Sequence, residues 1–93
     1  MNDALVRRKG GLIEAAVDGE LIGLEVEQGI CYGFNGTATR IWALIEEPRK
    51  ISDIRDTLLA EYDVDAETCE RELRSVLVEL EADGLAVMEP LAE

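Results

Sequence analysis

The sequence predicts an α+β domain of winged helix-turn-helix type, a three-stranded antiparallel sheet followed by three helices. Three observations carry this. Residues 12–34 alternate or run apolar in short stretches between turn residues, as strands do. From Asn35 the apolar spacing changes to three and four, the period of an amphipathic helix. Beyond Pro48 two more helical patterns follow, separated only by a short turn around Asp63 and Asp65.

The first strand is LIEAAV (Leu12–Val17), closed by Asp18-Gly19, a strong short hairpin signal. ELIGLEV (Glu20–Val26) splits by period two, with Ile22, Leu24 and Val26 on one face and Leu21, Gly23 and Glu25 on the other. Glu27-Gln28-Gly29 turns the chain again. ICYGF (Ile30–Phe34) is the third strand, placing Ile30, Tyr32 and Phe34 opposite Cys31 and Gly33. The first helix carries Ala38, Ile41, Trp42 and Ile45 at i, i+3, i+4 and i+7. Asn35 or Thr37 caps it, since either side chain can accept from a free amide of the first turn, and Pro48 stops it. Ser52 is expected to cap the second helix, whose apolar face is Ile54, Leu58, Leu59 and Tyr62. Asp65 caps the third, which carries Ala66, Cys69, Leu73, Val76, Leu77 and Leu80. Its acidic first turn suits the positive end of the helix dipole. Gly84 is a C-terminal stop, and LAVM (Leu85–Met88) is apolar enough for a short last strand.

Ninety-three residues make one domain, 1–93, with its core over about 12–88, and leave little room for an enclosed active site. Hydrophobic residues are 47% of the chain, so a packed core is expected. No apolar run is long enough to span a membrane, and MNDALVRRKGG lacks the apolar stretch of a signal peptide, which favours the cytoplasm. A net charge of -12 repels phosphate backbones and anionic lipid, so neither nucleic acid nor membrane is an expected partner.

Enzyme signatures are missing. The chain has no histidine, so no imidazole can serve as a base or activate a thiol. Cys31 and Cys69 without histidine do not make a zinc shell and read as small free thiols. No phosphate-cradling loop is present; Gly10-Gly11 alone is too weak a signal. The expectation is a non-enzyme with no metal and no cofactor. The helix-turn-helix shape raises a winged-helix DNA-binding regulator as the alternative. The third helix argues against it: Asp65, Glu67, Glu70, Glu72, Glu79, Glu81 and Asp83 accompany only Arg71 and Arg74.

The ordered set Tyr32-x-Phe34-Asn35, Ile41-Trp42-x-Leu44-Ile45, Pro48-Arg49, Tyr62-Asp63-Val64-Asp65 and Leu80 with Gly84-Leu85 resembles the PqqD-like family. These are the RiPP recognition elements, small domains that bind the leader region of a ribosomally made peptide precursor. The resemblance covers about residues 12–88. It is nearest to the free-standing members that accompany lasso-peptide maturation proteins; the precursor chaperone of pyrroloquinoline quinone synthesis is the alternative within the family. The chain departs from the pattern at Cys31, where members often carry an aromatic residue. It departs also at Phe34, often Leu, and at Ala38, often Gly.

The resemblance implies that the third strand is an exposed edge to which a leader peptide adds as a further strand, in a groove against the third helix. The leader-binding residues it implies on the strand are Ile30, Cys31, Tyr32, Gly33 and Phe34. On the helix they are Cys69, Leu73, Arg74, Val76 and Leu77, with Arg71 and Arg74 available to an acidic leader residue. Phe34 and Trp42 then fasten the strand to the helices. The blander reading assigns Tyr32, Trp42, Leu73, Val76 and Leu77 to the core and the two arginines to solvent. The partners implied are the leader, a leader peptidase and a cyclase. An exposed edge is also a pairing hazard, which opens a homodimer through that edge when no leader is bound.

Overall fold

A computed structural model describes residues 3–91. In chain order they form β1 (Ala4–Arg8), β2 (Leu12–Val17), β3 (Glu20–Glu25), β4 (Ile30–Phe34), α1 (Gly36–Leu44), β5 (Arg49–Lys50), α2 (Ile51–Glu61), α3 (Ala66–Ala82) and β6 (Ala86–Pro90). Strands β2, β3 and β4 make the expected antiparallel wing, in that order. Asp18 and Gly19 both take positive φ, 52° and 81°, as a two-residue hairpin turn of matching twist requires. The three helices follow as expected.

A second antiparallel sheet, ordered β5-β1-β6, was not legible in the sequence. Its central strand, ALVRR, is short and runs into three consecutive cations, so it shows little alternation. Tertiary packing makes it a strand. Val6 is fully buried and stands opposite Met88, and the Lys9 amide donates to the Leu85 carbonyl at 2.9 Å. The packed core therefore reaches further toward the N-terminus than residue 12. The expected last strand forms as β6, starting one residue later and ending two residues later than LAVM.

The helix ends follow local chemistry, with one correction. Asn35 caps α1, its side chain accepting from the Ala38 amide at 2.9 Å. The helix stops at Leu44, ahead of Pro48, although Ile45 just beyond it is fully buried. Ser52 does not cap α2: it lies in the first turn, and Lys50 at the cap position makes no side-chain bond. Asp3 substitutes, accepting from the Ser52 hydroxyl at 2.7 Å and the Ser52 amide at 3.2 Å. A carboxylate from the chain's beginning thus satisfies an orphan amide of a helix 49 residues away. Asp65 caps α3, accepting from the Thr68 amide at 2.7 Å. At the other end Gly84 takes φ +74°, and the Gly84 and Leu85 amides return to the Glu81 and Leu80 carbonyls at 3.0 and 2.9 Å. This is the Schellman pattern, with Leu80 and Leu85 both buried beside it.

The core gathers Val6 from β1, Phe34 from β4, Ile41 and Trp42 from α1, Ile54 and Leu58 from α2, and Leu73 and Leu77 from α3. The wing is covered on one face only. Leu21, Gly23 and Glu25 point inward, whereas Ile13 and Leu24 on the outer face are 60% and 41% exposed.

Val6→Ala should lower the stability by about 1–3 kcal/mol, the cost of removing buried methyl groups. A urea melt unchanged within about 0.5 kcal/mol would place β1 outside the core. The Ser52 hydroxyl holds the Asp3 carboxyl, and the Thr68 amide holds the Asp65 carboxyl, below the ordinary aspartate value of 3.8. A depressed pKa contributes stability that is present above the unfolded value and lost as pH falls through the lowered folded value. Asp3→Asn and Asp65→Asn should each soften the acid loss of stability below 3.8, read from thermal melts across that range.

Candidate functional site

The wing has two edge strands, β2 and β4, and β4 is the one set beside α1 and α3. The hairpin turn fixes which backbone groups of β4 face outward. A two-residue turn makes Val17 and Glu20 a pair that exchanges both backbone bonds. Alternation then directs the polar groups of Glu20, Ile22 and Leu24 to β2, and those of Leu21, Gly23 and Glu25 to β4. The Leu21 amide does point away from β2: it lies 3.4 Å from Thr39 Oγ1, and that hydroxyl donates to the Phe34 carbonyl at 3.2 Å. Leu21, Gly23 and Glu25 stand opposite Phe34, Tyr32 and Ile30. The N–H and C=O groups of Ile30, Tyr32 and Phe34 are therefore engaged within the wing. Those of Cys31 and Gly33 point outward, along the free edge.

Beside this edge runs a line of connected hollows. The one nearest the strand, about 60 Å³, lies between Tyr32, Gly33 and Phe34 on one side and Val76, Glu79 and Leu80 on the other. Through Tyr32, Asp83 and Leu85 it adjoins a hollow of about 270 Å³ under the Lys9–Leu12 bend. Through Val76 and Glu79 it adjoins one of about 290 Å³ bounded by Asn35 and Thr37. Thr37 and Glu72 lead on to a more apolar hollow of about 260 Å³, walled by Leu58, Tyr62, Val64 and Cys69. One face of α3 and its C-cap runs along the whole line: Glu72, Val76, Glu79 and Asp83 recur at i, i+4, i+7 and i+11, with Thr37 and Ala38 of α1 and Leu58 of α2 completing the helical lining.

The structure brings together part of the residue set that the sequence suggested. Cys31 and Gly33 form the free edge, exposed to solvent. Tyr32 is half-buried and lines two of the hollows, Phe34 is buried with its ring toward the core, and Ile30 is 39% exposed at the strand's start. On α3, Val76 lines the groove and Cys69 lines its far end. Leu73 and Leu77 do not line it; they are 0% and 1% exposed and belong to the core. Arg74 points elsewhere on the helix and lies 3.7 Å from Glu70, one turn back. The reason is periodicity. The core stripe and the groove face sit side by side on α3, and only the positions that flank the stripe reach the groove. Glu72, Glu79 and Asp83 were missed because acidic helical residues read as solvated surface. Their spacing from Val76 was the signal that could have found them.

Burial pushes the Cys69 thiol up, and the Glu72 carboxylate adds to this, so the thiol stays protonated at neutral pH and is a poor nucleophile. Among the described residues, no group of three or more His, Cys, Asp or Glu side chains is placed to hold a metal ion. Among them also, no helix is long and apolar enough to cross a membrane. The edge and groove can offer backbone hydrogen bonds, apolar hollows and carboxylates to an extended chain.

Residues 20–86 match the family model described as coenzyme PQQ synthesis protein D (PqqD). A solved structure of TbiB1 in complex with the TbiA(beta) leader peptide is similar, at 33% identity and a TM-score of 0.77. The match covers 94% of this chain and 99% of that one. A second, lasso peptide synthetase B1 complexed with the leader peptide, is 23% identical with a TM-score of 0.77, over 88% of this chain and 96% of that one, and bears on the fold alone. No curated protein matches. The family model runs from the start of β3 to the start of β6 and so takes in the free edge, all three helices and the groove wall. The resemblance read from the sequence is borne out, and the chain belongs to the PqqD family.

Proposed function

We propose that this chain captures the leader region of a ribosomally made precursor peptide and presents the remainder to separate maturation enzymes, a leader peptidase and a cyclase, in lasso-type peptide biosynthesis in the cytoplasm. It does no chemistry itself. The observation that carries this reading is the pair of outward-facing residues, Cys31 and Gly33, on an edge strand set over a groove. A peptide laid against β4 can bond to two N–H and two C=O groups. At about 0.5–1.5 kcal/mol net for each bond, the backbone alone supports only weak binding. The hollows along α3 must supply the rest, and with it the choice of peptide. That TbiB1, at 33% identity over nearly all of this chain, has been solved with a leader peptide supports the same assignment. The acidic exposed face of α3 counts against the DNA-binding alternative, because a recognition helix must approach phosphates.

Calorimetric titration with the leader segment of the chain's cognate precursor peptide should give a saturable complex. No binding up to about 100 μM, roughly 5 kcal/mol of affinity, would sink the proposal. Two proline variants test the mode. Proline removes an amide. Cys31→Pro should keep the helical circular-dichroism signal and lose leader binding, since its amide points outward. Tyr32→Pro should lose a ladder bond to β3 and damage the fold. The reverse pattern, or two variants that fold and bind as the parent does, would show that the leader docks elsewhere.

A further inference from the structure

Resting on the reading that a peptide adds to β4, we infer that the added strand carries a lysine or arginine whose side chain crosses to α3 and ends between Glu79 and Asp83. Side chains of a strand alternate, so those of the added strand that point to the same side as Tyr32 and Phe34 must meet α3. What they meet is the hollow of about 60 Å³ beside Gly33. Its floor is apolar, made by Phe34, Val76, Leu80 and Leu85, while Glu79 and Asp83 stand at its rim. Neither carboxylate is in an ion pair among the described residues.

This combination selects one kind of side chain. An acidic residue meets like charge. A purely apolar residue fills the floor but strips water from two carboxylates and returns nothing to them. A long side chain with an apolar stem and a cationic end satisfies both parts at once. The neighbouring stretches carry the same sign: Glu72 continues the acidic rim on one side, and Glu25 and Glu27 line the hollow on the other, where Lys9, the single cation among the described residues lining this run, lies in the hollow that adjoins at Asp83. The preference is therefore for a basic residue at one fixed position of the strand. It is the opposite of the acidic leader residue that Arg71 and Arg74 suggest from sequence alone.

A phage-displayed library of random twelve-residue peptides, panned on the full chain, tests this without knowledge of the natural ligand. Peptides that bind the parent and not Cys31→Pro are edge-dependent, and these should be enriched in Lys or Arg at one position. Synthetic copies should bind the double variant Glu79→Gln, Asp83→Asn roughly threefold to tenfold more weakly, as expected for a partly exposed ion pair. Both positions are solvent-facing, so that variant should fold as the parent does, which circular dichroism checks. Replacing the peptide's basic residue by Glu should weaken binding to the parent and restore it to Glu79→Lys. Edge-dependent peptides with no basic position, or with binding unchanged in the double variant, would overturn this inference and leave edge capture standing. Recovery of no edge-dependent peptide would overturn both.

Discussion

Phe34 and Trp42 meet with ring centroids 5.4 Å apart and planes tilted by 53°, and the Arg8 guanidinium lies 4.4 Å over the indole. The same guanidinium donates from Nε to the Trp42 carbonyl at 3.1 Å. This clasp joins the wing's edge strand, the first helix and the central strand of the second sheet. An aromatic pair of this geometry contributes about 0.5–1.5 kcal/mol beyond its burial, and a cation over an indole a similar amount. The larger effect is positional. With Phe34 turned inward and the Thr39 hydroxyl bonded to its carbonyl, β4 is fastened to α1 while its outer backbone edge stays free. The concentration of aromatic residues between Tyr32 and Trp42 is the sequence trace of that fastening.

A chain this small, with a charge of -12, has few ways to recognise another molecule. Backbone pairing needs no particular side chain, so a small residue such as Cys31 offers the outward amide as well as a large one would. On the proposed reading, selectivity then falls to the α3 wall. That wall is mixed, with Val76 between Glu72 and Glu79 and with Asp83 beyond, which suits a peptide whose side chains alternate in character along the strand. The helix-turn-helix shape is retained, but its third helix faces a groove with carboxylates rather than a phosphate backbone with cations.

The wing and the helices were legible because their signals are local. Asp18-Gly19 dictates a hairpin, and the shift from period two to period 3.6 at Asn35 dictates a change of element. The second sheet was not legible, because ALVRR becomes a strand only when Val6 meets the core and β6 lies alongside. The α2 cap was misread for a related reason. Ser52 sits close to a helix start and looks like a cap, whereas the satisfying carboxylate, Asp3, arrives through the tertiary fold. Of the residues suggested for the site, those of β4 lie along the free edge, and those of α3 divide between groove and core. Leu73 and Leu77 are chemically indistinguishable from Val76 in a one-dimensional pattern, and only their angle around α3 separates core from groove. The phase of the edge needed the register, since a one-residue shift would exchange the roles of Cys31 and Tyr32.

The central claim is that the free edge of β4 is the docking strand and that its phase is set by the Asp18-Gly19 turn. Residue-resolved amide hydrogen exchange by NMR tests it most directly. In the free protein the amides of Ile30, Tyr32 and Phe34 should be protected, and those of Cys31 and Gly33 should exchange quickly. On saturation with an edge-dependent peptide, Cys31 and Gly33 should become protected while the other three change little. Protection of Cys31 and Gly33 in the free monomer, or their continued fast exchange in the saturated complex, would contradict the account.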